Sequence, residues 1–151
     1  MADLVWHDFL EIGVEFIDQD HKHMLAIMQG VQGAIIRKDY AECAKLLARL
    51  LAEASEHFQR EEAYLSEAKY PGLAEHQKYH AELLVQADNV KKICESTEAG
   101  HDIQACFNGM SRFLIDDILK GDVRFKSYLE HEGLIKNADP SLRPFNPIAK
   151  G

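Results

Sequence analysis

Four stretches of the chain repeat apolar residues at helical spacing, and no strand-type alternation competes with them. Met24, Met28, Val31 and Ile35 recur at steps of four, three and four, which is one face of a helix starting near Asp18. Asp39 reads as an N-cap, with Glu42 three residues on as its capping-box partner. A second helix then runs from about 40 to 68 with Leu47, Leu50, Ala54, Phe58 and Leu65 inward. Tyr70-Pro71-Gly72 breaks it, and Pro71 suits the first turn of the next helix. The third helix carries Leu73, Leu83, Ala87 and Val90 on one stripe. Gly100 ends the following connection, Asp102 caps a fourth helix, and that helix shows Ile103, Phe107, Met110 and Leu114. Residues 1–17 hold Trp6, Phe9, Ile12, Val14 and Phe16 without a sustained period, so they read as an arm laid over a core. Residues 122–135 suggest a short further helix, and the proline-bearing tail 136–151 an extension beyond a domain spanning 1–135. Short connections make antiparallel neighbours, so the expected fold is all-α, an up-down-up-down four-helix bundle.

Composition narrows the class. The 151 residues suffice for one domain with a substantial core. At 46% hydrophobic and 28% charged the chain is globular. A net charge of −8 argues against nucleic acid or an anionic membrane surface as partner. No run approaches the roughly 20 apolar residues of a membrane span, and the N-terminus lacks a signal-peptide pattern. Cys43, Cys94 and Cys106, odd in number and widely spaced, read as reduced, buried thiols of a cytoplasmic protein. No apolar surface patch is assignable from the pattern, so a monomer is expected.

The eight histidines carry the chemistry. His21 lies three residues before Met24; His57 follows Ala54 by three, and Glu61 follows His57 by four. His76 follows Leu73 by three and His80 follows His76 by four, while Asp117 follows Leu114 by three. All of these face the core stripes. Asp122, five residues past Asp117, is about half a turn off its line. A lone inward histidine is more often a hydrogen-bonded core residue than a ligand, and a lone His-x3-His pair is weak on its own. Buried carboxylates are rarer, because an unpaired one is costly. Five or more such groups in one bundle need compensation, and a metal supplies it. His7, His23, His101 and His131 fall off the stripes and read as surface residues; Asp20, Glu62 and Asp116 read as solvated neighbours or partners of the ligands.

No cysteine lies on the stripes, which disfavours iron–sulfur clusters and structural zinc. Four imidazoles and three carboxylates exceed one four-coordinate ion and suit two ions bridged by carboxylates. Iron fits that donor set best, with zinc, manganese or a mixed pair allowed by the spacing.

These residues also carry a resemblance. Trp6, IGVEFID at 12–18, the His-Lys pair at 21–22, HFQREE at 57–62, YPGLAEHQKYH at 70–80 and FLIDDILKGD at 113–122 are similar to the single-domain bacterial hemerythrins. The resemblance implies a non-haem, carboxylate-bridged di-iron centre that binds dioxygen. It implies His21 and His57 on the iron with an open position, His76 and His80 on the other, and Glu61 and Asp122 as bridges. The chain departs from the pattern at Asp117, where the family has histidine. The resemblance thus implies an altered iron ligand. An ionised Asp117 raises the ligand charge from −2 to −3 against two ferrous ions and favours the oxidised state.

Three functions follow. The first is dioxygen storage, delivery or sensing, with the tail 136–151 a contact for an unidentified protein partner in the sensing case. The second is a di-iron redox enzyme (oxidase, peroxidase or nitric-oxide-handling), for which Asp117, Tyr64 and Tyr79 are the acid–base candidates. The third is a decayed structural bundle, which the six retained ligand positions disfavour.

Overall fold

The first helix, α1 (Glu15–Ile36), begins three residues before Asp18. The reason is that Asp18 caps the arm rather than the helix. Its carboxylate accepts from the backbone N–H groups of Ile12 (2.7 Å) and Gly13 (3.0 Å), where Gly13 takes φ +99°. The arm is not wholly irregular: Asp8–Leu10 forms a 3₁₀ turn. Lys126 ties it to the far end of the chain by donating to the Glu11 carbonyl at 2.7 Å. The computed structural model describes residues 5–96 and 103–135. Gly100, Asp102, His101 and the tail 136–151 lie outside the described residues, as do the side chains of Cys94 and Cys106; Cys43 is a buried free thiol.

Helix α2 (Tyr40–Glu67) starts where its pattern predicts, with the Asp39 side chain accepting from the Glu42 N–H; the reciprocal half of the expected capping box is not formed, because the Asp39 N–H donates to the Ala34 carbonyl. Helix α3 (Leu73–Ser96) and helix α4 (Ile103–Ile115) follow. Asp116–Gly121 is a π-helical turn, and α5 (Asp122–His131) continues from it, so the rod from Ile103 to His131 is helical throughout. Helix α1 packs on α2 and α4, and α3 packs on α2 and α4. That closed ring of neighbours, with short first and second connections, is an up-down-up-down four-helix bundle. None of its described helices is long and apolar enough to cross a membrane.

The two short connections close with the same device. The N–H of Asp39 reaches the Ala34 carbonyl, and that of Tyr70 the Leu65 carbonyl, across a left-handed residue. That residue is Lys38 (φ 59°) in one and Lys69 (φ 58°) in the other, where glycine is the unstrained choice. Lys38→Gly and Lys69→Gly are each expected to stabilise the fold by about 1 kcal/mol, read as a raised Tm.

The core is split into two apolar layers. The larger one gathers Met24, Met28, Leu47, Leu50, Phe58, Leu83, Met110 and Leu114 among others. The smaller one, at the end covered by the arm, gathers Ile12, Val14, Ile17, Leu65, Phe125 and Leu129. Each helix of the bundle therefore passes from one apolar layer to the other, and the interval between them holds the polar groups.

Candidate metal centre

That interval is where His21, His57, Glu61, His76, His80, Asp117 and Asp122 lie. All seven are buried, His76 the most exposed of them at 5%. Their placement on α1, α2 and α3 follows from helical spacing alone. Asp117 and Asp122 need more. In an α-helix five residues turn the chain by about 500°, which would leave Asp122 about 140° away from Asp117. The π turn removes the discrepancy, because the Asp122 N–H donates to the Asp117 carbonyl five residues back. Both carboxylates then face the same interval.

The π turn is braced from α3. The Tyr79 hydroxyl donates to the Asp116 carbonyl at 2.7 Å. Gly121 fits beneath the same ring, and a Cβ there would lie 2.7 Å from Tyr79 Cε2. Gly121→Ala is expected to force that ring away and lose the Asp116 contact. Overpacking costs about 1–3 kcal/mol, against about 1 kcal/mol that alanine gains in helix propensity. The net expectation is a lower Tm and a weaker hold on metal, read by thermal unfolding and metal titration.

The donor atoms converge. His21, His57, Glu61 and Asp122 form one quartet with a donor atom from each within 4.8 Å of the others, and Glu61, His76, His80 and Asp122 form a second. The quartets share Glu61 and Asp122. Glu61 Oε2 lies 3.0 Å from His57 Nε2, while its Oε1 lies 2.7 Å from His76 Nε2 and 3.1 Å from His80 Nε2. Asp122 Oδ2 lies 2.9 Å from His21 Nε2. Asp117 belongs to neither quartet, yet its Oδ2 lies 3.4 Å from His21 Nε2.

Most of these atoms approach one another without hydrogen-bond alignment. The Nε2 atoms of His21, His57 and His80, Glu61 Oε2 and both oxygens of Asp117 and Asp122 are buried with no hydrogen-bond partner. Orphaned lone pairs on this scale are costly in a protein interior unless they point at a shared cation. A donor set of imidazoles and carboxylates fits two borderline-hard transition-metal ions.

Outer contacts hold the rings. His57 Nδ1 donates to Asp20 at 2.9 Å, and Asp20 in turn accepts from Arg60 at 2.8 Å. His80 Nδ1 donates to Glu62 at 2.9 Å. Such carboxylate partners fix the tautomer and leave Nε2 for the metal. Phe58 from the larger apolar layer stacks on His80 with centroids 3.8 Å apart, and Phe125 from the smaller layer meets His76 edge-on at 5.2 Å. Asp20 and Glu62 thus hold the rings of His57 and His80. Arg60 was not singled out by its sequence context; its only signal is its place one turn beyond His57 on α2. His7, His23 and His131 are exposed, as their off-stripe positions predict.

The charges are strongly coupled. Burial opposes the charged form of His57, but the carboxylates of Asp20, Glu61 and Asp117 outweigh it and push its pKa up to about 10. Burial is likewise outweighed at His80 by Asp117 and Glu61, again giving about 10. Burial would raise Glu61, yet His57, His76 and His80 hold it well below its ordinary range. Asp122 is pushed well above its range by burial and by the charges of Glu61 and Asp117. The raised histidines stabilise the metal-free fold fully below their ordinary value of 6.5 and lose that effect as pH rises towards about 10. The lowered Glu61 contributes above its ordinary 4.5 and loses its effect on acidification. The Tm of chelator-treated protein is therefore expected to peak between pH 4.5 and 6.5 and fall steadily to pH 10. A Tm that rises from pH 7 to 10 would contradict this charge arrangement.

A cavity of about 390 Å³ opens beside His76, lined by Tyr70, Glu75, Tyr79, Gly121 and Arg124 among others. It brings solvent to the edge of the polar layer. Tyr79, a candidate proton donor on sequence grounds, uses its hydroxyl on the Asp116 carbonyl, and burial with nearby carboxylates pushes its pKa up to about 12. Tyr64 packs edge-on against Phe16 at the smaller apolar layer.

A family model for the hemerythrin HHE cation binding domain matches residues 12–122, the span from the Asp18-capped arm to the last carboxylate. The chain belongs to the hemerythrin family. Among its relatives is a bacteriohemerythrin of Pseudomonas aeruginosa (strain LESB58), 30% identical over 132 residues, covering 87% of this chain and 84% of the relative. A bacteriohemerythrin of Stenotrophomonas maltophilia (strain R551-3) is 31% identical over 126 residues, 81% of this chain and 78% of the relative. A myohemerythrin of Sipunculus nudus is 34% identical over 80 residues, 53% of this chain and 62% of the relative. Within this hemerythrin, the polar layer between the two apolar clusters lies inside the matched span.

Proposed function

We propose that this protein binds dioxygen at a non-haem di-iron centre held by His21, His57, Glu61, His76, His80, Asp117 and Asp122. The observation that carries this reading is the pair of four-residue donor sets that share Glu61 and Asp122. Two ferrous ions held by such sets would supply the electrons for dioxygen binding. The protein's part is to position, to exclude water and to tune. Asp20 and Glu62 orient His57 and His80. Apolar layers above and below keep bulk water from the donors, and the cavity beside His76 gives a small neutral molecule a short path.

A second reading, a di-iron redox enzyme, is favoured by Asp117, an added anion at the centre. The two are separated by one oxygen cycle. Ferrous-loaded protein is exposed to oxygen and then purged while its visible spectrum is followed. A band that appears and then vanishes on purging is the expected result. Direct, lasting conversion to a diferric spectrum favours the redox enzyme.

A further inference from the structure

The three buried carboxylates share one pattern. Glu61 turns one oxygen to His57 and the other to His76 and His80. Asp122 turns Oδ2 to His21 at 2.9 Å and Oδ1 to His76 at 3.7 Å. Asp117 does the same: Oδ2 faces His21 at 3.4 Å and His57 at 3.7 Å, while Oδ1 faces His80 at 3.7 Å. In each case one oxygen serves the His21–His57 pair and the other serves the His76–His80 pair.

The geometry points to Asp117 as a third carboxylate shared by both metal positions, rather than a substitute for one histidine at one of them. This rests on the two-ion reading above. An imidazole directs one lone pair at one ion, whereas a carboxylate has an oxygen for each. Two donors on an ion with bonds of ~2.1 Å are about 3.0 Å apart at right angles and about 4.2 Å apart when opposite. The Asp117 spacings of 3.4–3.7 Å fall between those limits. The polar layer holds Asp117 there with 1% exposure, and no hydrogen bond occupies either of its oxygens.

The donor count changes accordingly. Each metal position receives two imidazole nitrogens and one oxygen from each of three carboxylates. The two positions become equivalent in kind and number of protein donors. A pattern with a third histidine on one side would make them unequal. Small anions or diatomic molecules then meet two like positions in place of one closed and one open position.

Mössbauer spectra of anaerobically ferrous-loaded protein, with iron counted per chain, test this. The expected result is two irons giving one quadrupole doublet, and two doublets of equal area in Asp117→His. Two unequal sites in the parent would overturn the sharing. So would parent and Asp117→Ala spectra that coincide at two irons each, since Asp117 would then touch neither ion. One iron per chain in the parent would instead overturn the two-ion reading itself. Helical circular dichroism of the metal-free variants shows that each has folded.

Discussion

Glu61→Ala is expected to abolish metal binding at both positions together, taking iron from two per chain to almost none. Among the described residues, Glu61 is the one whose two oxygens approach three different imidazole nitrogens within 3.1 Å. A terminal ligand such as His80 belongs to one quartet only, so His80→Ala is expected to spare the His21–His57 position. The contrast between the two variants separates a shared bridge from a general loss of fold. Glu61→Ala also removes the counter-charge of buried His57 and His80. Breaking a buried pair costs roughly 3–5 kcal/mol, so the metal-free variant is expected to melt well below the parent at pH 6 and to recover part of the loss at higher pH, where the histidines are neutral. Metal analysis after anaerobic loading and thermal unfolding at two pH values read both effects. Two irons per chain in Glu61→Ala would refute the bridge.

Asp117→His is expected to slow autoxidation by about tenfold or more. An anion beside the two positions stabilises the more positive, oxidised state. A unit charge at about 4 Å with an effective dielectric of ~20 is worth roughly 4 kcal/mol. Even a third of that reaching the barrier is about tenfold in rate. The parent is therefore expected to lose its oxygen-responsive ferrous form faster than the variant, followed as decay of the visible spectrum in air at fixed pH. An equal or slower rate in the parent would show that the charge of Asp117 does not reach the ions.

Most of the bundle was legible because its signals are local. Steps of three and four along Met24–Ile35 and Leu47–Leu65, the Asp39 cap and the Tyr70-Pro71-Gly72 break each depend on neighbours a turn away. His21, the His57/Glu61 pair and the His76/His80 pair follow from the same periodicity. Asp122 does not, since a period of 3.6 puts it off the line and only the π turn, braced by Tyr79 and Gly121, restores it. The start of α1 was misplaced for a related reason. Asp18 has the residue type of a cap, and its partners proved to be the arm's N–H groups, a contact no periodicity encodes. Asp20 was legible as a neighbour of His21, but Arg60, which reaches Asp20 from the next helix, was equally invisible. The division at residue 135 and the role of the tail concern residues outside those described.

The most direct test of the two-ion centre is a count. Chelator-treated protein is titrated anaerobically with ferrous iron, and bound metal is measured per chain at saturation. Two irons, lost together in Glu61→Ala, are the predicted result. Saturation at one iron, or none, would contradict a centre built from two donor sets sharing Glu61 and Asp122.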